Sequence, residues 1–531
     1  MKKSLLLIFC LTAAITLQCR AQAPDSIVWQ SVFGGIGYDH LFHTLKCADG
    51  GFMLTGQDSS NDGTFLGTSL GAEDACIIKT DSVGQLQWLR TFGGSAYDKA
   101  RYCIEDFNGD FVVLGSTHSV DSDIVINRGN SDAIIAKYDA QGNKKWIKTL
   151  GGTKEEGGRC VKQLRDSNYI FAVWSNSNNF DVPGGYGNYD SWIFKTDTAL
   201  NIIWSKHYGG TKYDRCRIIY ELDDDGFIFF GNSYSNDSIT NDSLLSGNHG
   251  DSDFLLTRLD ANGNQLWSKQ YGGCCDDKGY GLTPTMDGGF LFCGYSESND
   301  GDVIGAHGNR EGWVVKVDSM GTLLWSRAMG GTKDDNIYRA YETLDGGWVA
   351  LGNAQSQDGD LSLTVHPNSG YDFWFIKFDS LNNVVFNECY GGSELEQGND
   401  ILFEPNNSFV LGGVTHSNDL DVSMGFGYED FWIFKVMPSV NVGIFDPSSV
   451  PFAFQFYDDN LIVKSPDSGN LKIEIFTTTG ALAYSQDLGM HDGGTRSHHL
   501  NTKNFLADEM YLFKMWINDK FQVRKIVYKT K

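Results

Sequence analysis

Hydrophobic and polar residues alternate with a period of two along most of the chain, the pattern of half-buried β-strands, and nowhere with the 3.6-residue period of a helix. Residues 100–150 show the unit. ARYCIEDF alternates, Asn108-Gly109 turns the chain, and DFVVLGSTHS is rich in β-branched and aromatic residues. After a polar loop comes DAIIAKYD, and Gln141-Gly142 makes a tight hairpin into KKWIKTL. Each unit is predicted to be a four-stranded antiparallel meander.

The unit recurs. Gly-Gly pairs fall at 34/35, 93/94, 151/152, 209/210, 272/273, 330/331 and 391/392, so successive copies lie 59, 58, 58, 63, 58 and 61 residues apart. Five residues before each pair stands an aromatic (Trp29, Trp88, Trp146, Trp204, Trp267, Trp325, Phe386). Such a period marks stacked units that cannot bury their hydrophobic faces alone. The first copy begins with its fourth strand, IVWQSVF at 27–33, whereas the last runs through DFWIFKV at 430–436 without a fourth strand of its own. One end lacks what the other has spare. A ring in which the first strand completes the last sheet removes both open edges, and the expected fold is an all-β, seven-bladed β-propeller.

The pattern K-x-D-x-x-G-x-x-x-W stands at Lys79/Asp81/Gly84/Trp88, Lys137/Asp139/Gly142/Trp146 and Lys316/Asp318/Gly321/Trp325, with Arg258, Leu200 or Asn382 at one place in weaker copies. It is similar to the tryptophan-docking repeats of quinoprotein-type propellers, which usually count eight blades and only some of which bind pyrroloquinoline quinone. The D-G-G-F/W element at Asp49–Phe52, Asp287–Phe290 and Asp345–Trp348 resembles secreted propellers that accompany sorting domains. Past residue 437 the period stops. A proline-bearing linker, 438–454, leads to strand-like runs at 455–531. This tail resembles the type A sorting domain of type IX secretion in IEIFTTTG (Ile473–Gly480), Leu500, Leu506, YLFK (Tyr511–Lys514) and the basic end Lys525–Lys531. Met510 replaces the usual glycine, and the opening Asn-Pro is absent. The resemblance implies a small β-sandwich that engages the secretion machinery and is then removed or exchanged for a surface anchor.

Lys2 and Lys3, the apolar run Leu5–Leu17 and the small residues Ala21 and Ala23 have the layout of a secretory signal peptide, with cleavage expected after residue 21. The propeller then occupies 22–437. No later run reaches the ~18 apolar residues of a membrane helix. The expected location is secreted or attached to the outer-membrane surface, as a monomer. The net charge of -25 argues against nucleic acid as a partner. From Pro451 onward ten Lys/Arg face nine Asp/Glu, so the acid belongs to the repeats. Nine cysteines follow the signal segment in no repeating position, which does not make a disulfide framework; the adjacent Cys274 and Cys275 are a candidate redox or soft-metal pair.

Four residues after each glycine pair stands a carboxylate: Asp39, Asp98, Glu156, Asp214, Asp277, Asp335 and Glu396. They begin the strands that line a propeller's channel, which makes them candidate ligand-binding residues at an acidic mouth. A second loop on the same face repeats Ser-x-Asp. Its Asp121, Asp123, Asp300, Asp302, Asp358, Asp360, Asp419 and Asp421 offer hard oxygen donors of the kind Ca²⁺ prefers. The competing reading gives both sets to turns and blade locking, since Asp and Ser in tight loops accept nearby backbone N–H groups. No H-E-x-x-H or P-loop pattern occurs. The expected function is a non-enzymatic binding or adhesion propeller for an extracellular glycan or protein. The rivals are a calcium-stiffened structural module and a polysaccharide hydrolase or lyase using the channel-mouth carboxylates.

Overall fold

The computed structural model describes residues 27–236, 247–343, 345–361, 366, 370–404 and 408–438, together with tail strands at 453–457, 460–477, 482–499, 509–517 and 520–528. Strand β1 (Ile27–Phe33) stands apart in sequence from the first complete blade, β2 (His40–Lys46), β3 (Phe52–Asp58), β4 (Asp74–Thr80) and β5 (Leu86–Phe92). The same antiparallel order repeats in β6–β9 (98–150), β10–β13 (156–208), β14–β17 (214–271), β18–β21 (277–329) and β22–β25 (335–390). The seventh sheet has the order β1-β28-β27-β26, built from β26 (Glu396–Glu404), β27 (Ser408–Thr415) and β28 (Asp430–Val436). The ring is therefore a seven-bladed propeller closed by the first strand.

Closure is specified by side chains as well as by the ladder. Strand β1 pairs antiparallel with β28, Ser31 opposite Ile433 and Phe33 opposite Phe431. Gln30 clamps the seam: its amide donates to the Asp421 carbonyl at 2.9 Å, and its carbonyl accepts from Trp432 Nε1 at 3.1 Å. From the seventh blade to the first, Asp400 accepts the Thr44 N–H at 2.8 Å, and Asn399 donates to the Leu41 carbonyl at 2.5 Å.

The repeated sequence patterns each have a packing role. The fourth-strand indole lies on the turn glycine of the next blade: a Cβ on Gly142 would sit 2.8 Å from the Trp88 ring, and one on Gly84 2.6 Å from Trp29. Both glycines are left-handed, at φ +75 and +77, where a side chain is strained. Leu200 and Asn382, which replace this glycine in weaker copies, keep the conformation at φ 65 and 62. The lysine of the same pattern ties to the loop between the first two strands of its blade, Lys79 to Asp49 at 2.7 Å, Lys137 to Asp106 at 2.6 Å and Lys316 to Asp287 at 2.6 Å. The third-strand tryptophans Trp192, Trp313, Trp374 and Trp432 are fully buried at 0% exposure. They fill the space between blades and present no ring for sugar stacking.

The tail forms a five-stranded sheet of β29 (Ala453–Tyr457), β30 (Asn460–Thr477), β31 (Leu482–His499), β32 (Glu509–Ile517) and β33 (Lys520–Tyr528). A register break between Ser465 and Ser468 divides β30. Its first half pairs with β29 and its second with β32. The described strands make one hydrogen-bonded network through the two halves of β30. Leu500, Leu506 and the turn at 478–481 lie outside the described residues.

Gly142 and Gly288 share a left-handed backbone, at φ +75 and +80, but nothing lies within 4 Å of a Cβ on Gly288. Gly142→Ala is therefore expected to cost about 1 kcal/mol more than Gly288→Ala, the difference being the clash with Trp88. Denaturant midpoints at unchanged m-value measure it.

Candidate functional site

The seven inner-strand carboxylates form a ring near one mouth, but side on. Asp39, Asp98, Glu156, Asp214, Asp277, Asp335 and Glu396 all have 0% exposure. Each accepts the N–H of the second glycine of its pair, from Gly35 and Asp39 at 2.7 Å to Gly331 and Asp335 at 2.9 Å. The serine of the Ser-x-Asp loop donates to the same carboxylate, Ser119 to Asp98 at 2.7 Å and Ser356 to Asp335 at 2.6 Å. In several blades the hydroxyl that ends the second strand donates to it as well, Ser175 to Glu156 at 2.6 Å, Ser233 to Asp214 at 2.5 Å and Thr415 to Glu396 at 2.8 Å. The serine oxygen in turn accepts a backbone N–H beyond the glycines, as Ser119 does from Ala96 at 3.0 Å. A carboxylate that begins each strand therefore ties the incoming turn to the neighbouring loop. Ligand in the channel does not meet it.

Burial governs the titration of this ring. It lifts Asp39 to about 6 against the hydrogen bonds of Ser60, Gly35 and Ser59, and it raises Glu156, Asp214, Asp277, Asp335 and Glu396. Third-strand acids lie close by. Asp190 is pushed up to about 6 by burial and then by Asp214, and Asp253 likewise to about 6, with Asp277 contributing.

The loop carboxylates are also engaged. Asp121, Asp300, Asp358 and Asp419 accept the first N–H after the glycine pair, from Ser95, Cys274, Thr332 and Ser393 at 2.8 to 2.9 Å. Asp302, Asp360 and Asp421 accept the first glycine's N–H at 3.1 to 3.4 Å, and Asp123 pairs with Lys144. The repeated Ser-x-Asp spacing is thus also the spacing of a turn clamp. Among the described residues, no three His, Cys, Asp or Glu side chains are grouped to hold a metal ion. The Cys274 and Cys275 sulfurs lie 2.9 Å apart on an exposed turn, while the other seven cysteines are buried.

The channel itself holds the residues that the carboxylate pattern did not point to. Every inner strand carries a β-bulge three residues after its carboxylate, between Leu41 and His43, Ala100 and Tyr102, Gly158 and Cys160, Cys216 and Ile218, Gly279 and Gly281, Ile337 and Arg339, and Gly398 and Asp400. The bulged residues, Phe42, Arg101, Arg159, Arg217, Tyr280, Tyr338 and Asn399, line a central cavity of about 320 Å³ together with His40, Tyr102, Ile218, Arg339 and Gln397. No carboxylate is among them.

The lining is polarised. Arg101, Arg159 and Arg217 come from three consecutive blades, and the far side carries the stacked pair Tyr280 and Tyr338, 4.5 Å apart and nearly parallel at 4°. Arg339 is neutralised by Asp400 at 2.7 Å. Arg101, Arg159 and Arg217 have no carboxylate partner among the described residues. Arg101 rests over the Phe42 ring at 3.7 Å and Arg217 over Tyr280 at 5.2 Å, while the Arg159 Nε is buried with no hydrogen-bond partner. These guanidinium groups are partly buried on the channel wall, in one another's electrostatic field. Burial, then Arg217, brings Arg101 down to about 10, and burial with Arg217 and Arg101 holds Arg159 well below the usual guanidinium range. Toward the carboxylate end of the same strands stand Lys99 and Arg215, the latter 4.8, 4.5 and 5.5 Å from the rings of Trp174, Tyr189 and Tyr213. The signal was readable in the third place after each repeated carboxylate, which never holds an acid and holds arginine in three successive copies.

The first blade departs from the others at Asp58. Its counterparts are the hydroxyl residues Thr117, Ser175, Ser233, Ser296 and Thr415, with Ala354 in the sixth blade, but Asp58 is buried between Asp39 and Asp74 with neither oxygen hydrogen-bonded. Burial, then Asp74 and Asp39, raises it from 3.8 to about 8. The unfolded chain releases this proton near its ordinary value, so the folded state loses stability as pH rises from about 4 to about 8. Asp58→Asn carries no such term. Its unfolding midpoint is expected to gain on the wild type progressively across that range and to run parallel outside it; a pH-independent gap would show that Asp58 ionises normally.

No known protein family matches the sequence. Regulatory protein FlaEY of Caulobacter vibrioides is 25% identical over 177 residues, which are 31% of this chain and 17% of that protein, so the chain spans under a fifth of that relative's length. Among solved structures, the chain is similar to the extracellular domain of BT4673 from B. thetaiotaomicron at 10% identity and TM-score 0.39, over 95% of this chain and 58% of that one. It is similar also to the Pan2 WD40 domain of Neurospora crassa, at 8% identity and TM-score 0.40 over 78% and 97% of the two chains. YCF48 bound to D1 peptide shows 8% identity and TM-score 0.41 over 80% and 100%. These likenesses concern the fold, and the count and order of the blades rest on the chain's own hydrogen bonding.

Proposed function

We propose that the chain is an extracellular, non-enzymatic binding propeller and that its ligand, a glycan or protein, enters the central channel. The observation that carries this reading is the contrast between two sets of polar groups. The abundant acids of the loop face are spent on backbone N–H groups and serine hydroxyls, whereas the channel collects guanidinium, phenol and amide groups around a cavity of about 320 Å³. Concave sites of this size, partly aromatic and with few convergent polar groups, are the usual form of ligand pockets. Export through type IX secretion by residues 455–531 is part of the same proposal, supported by the tail's sequence and its β-rich fold.

Gln397 lines the channel from the seventh blade, outside the three blades that carry Arg101, Arg159 and Arg217. On a glycan and peptide array the full chain is expected to retain a defined set of ligands. Gln397→Trp, which narrows the channel, should lose that set at least tenfold with an unchanged thermal midpoint. Equal retention by Gln397→Trp would place binding elsewhere. For export, removal of residues 455–531 in a bacterium with type IX secretion is expected to leave the chain in the periplasm. Its arrival at the surface or in the medium would remove the tail from the account.

A further inference from the structure

We infer that the channel is an oxyanion site, in which Arg101, Arg159 and Arg217 converge on one carboxylate, sulfate or phosphate group of the ligand. This rests on the reading that ligand enters the channel, and it adds the chemistry of recognition. Three observations support it. The guanidinium groups belong to adjacent blades at the same bulged position, so a single cavity brings them together. None has an acidic partner among the described residues, although the chain carries 67 Asp and Glu against 42 Lys and Arg. The Arg159 Nε is a buried donor aimed at no acceptor.

Unpaired like charges held together in a protein interior are costly, and an unsatisfied buried donor adds to the cost. A chain with so many carboxylates could have neutralised this cluster as it neutralised Arg339 with Asp400 at 2.7 Å. An incoming oxyanion removes both penalties at once: it supplies the missing negative charge and accepts several N–H donors, for which the planar guanidinium fork is suited. The outer acid does not oppose this over long range, because exposed charges are screened beyond ~10 Å at moderate salt. Phe42 and Tyr280 lie against Arg101 and Arg217 at 3.7 and 5.2 Å, contacts that restrict these side chains before binding. The Tyr280–Tyr338 side leaves an aromatic wall for the body that bears the anion.

The test uses the full chain with sodium sulfate, sodium phosphate, acetate and glucuronate as probes, each against sodium chloride at matched ionic strength. Thermal midpoints and titration calorimetry are the readouts. A native-state ligand raises the midpoint in a saturable way, and at least one probe is expected to do so where chloride does not. The preferred probe tells a free inorganic oxyanion from a carboxylate or an acidic sugar. Arg159→Gln is expected to weaken that probe tenfold or more. Because it relieves repulsion, it should also raise the probe-free midpoint, an effect opposite to that of damage to a structural residue. Lys144→Gln, on an exposed outer strand, should leave both readouts unchanged. The inference is overturned if no oxyanion exceeds matched chloride, or if Arg159→Gln keeps full affinity. Array ligands lost by Gln397→Trp but kept by Arg159→Gln would preserve channel binding and remove the oxyanion. Oxyanion binding with an empty array would do the reverse.

Discussion

Everything in this molecule depends on a seam between the two ends of the repeat region, where β1 supplies the fourth strand that the last sheet lacks. Seven four-stranded sheets arranged in a row would leave an unpaired edge and an apolar blade face at each end, both prone to association. Joining β1 to β28 removes them, and the Gln30 clamp on Trp432 and the Asp421 carbonyl fixes the register. A closed ring also forces equivalence: each blade turns the same way against its neighbour, so each inner strand presents the same sequence position to the axis. The bulge shared by all seven inner strands makes that position the third after the carboxylate.

From this constraint follows a separation of charge that composition hides. The acids are numerous because every blade needs several of them as internal acceptors: one to bind the glycine turn and a serine, others to hold the loop, and one to meet the lysine of the docking turn. Burial is the first cause that lifts Asp39, Asp190 and Asp253 to about 6. The axis carries the opposite sign, where Arg101, Arg159 and Arg217 face a cavity. A net charge of -25 therefore describes how the blades are fastened together. It does not describe what the channel attracts.

Much of the fold was legible in the sequence because its signals are periodic. The spacing of Gly-Gly pairs counts the blades, and the orphan run 27–33 beside the incomplete unit at 430–436 implies the closure. The indole and turn glycine of Trp88 and Gly142 imply that blades dock on one another. The site was less legible for a related reason. A feature present in every copy, such as Asp98 and its equivalents, catches the eye but serves every copy, whereas a binding site uses positions where the copies differ. Arg101, Arg159 and Arg217 stand beside Phe42, Tyr280, Tyr338 and Asn399 at one repeat position, and only a register that includes the bulge shows that these side chains meet. In the tail, alternation found the strands, but alternation alone does not give the order in which they pair.

Native-state amide hydrogen exchange across residues 430–436 tests the closed ring most directly. Closure predicts that β28 is protected like an interior third strand such as β4, and that β1 exchanges like the outer strand β5. Exchange of β28 at the rate of an open outer edge, with β1 unprotected, would contradict the closed ring and with it the shared axis on which the channel depends.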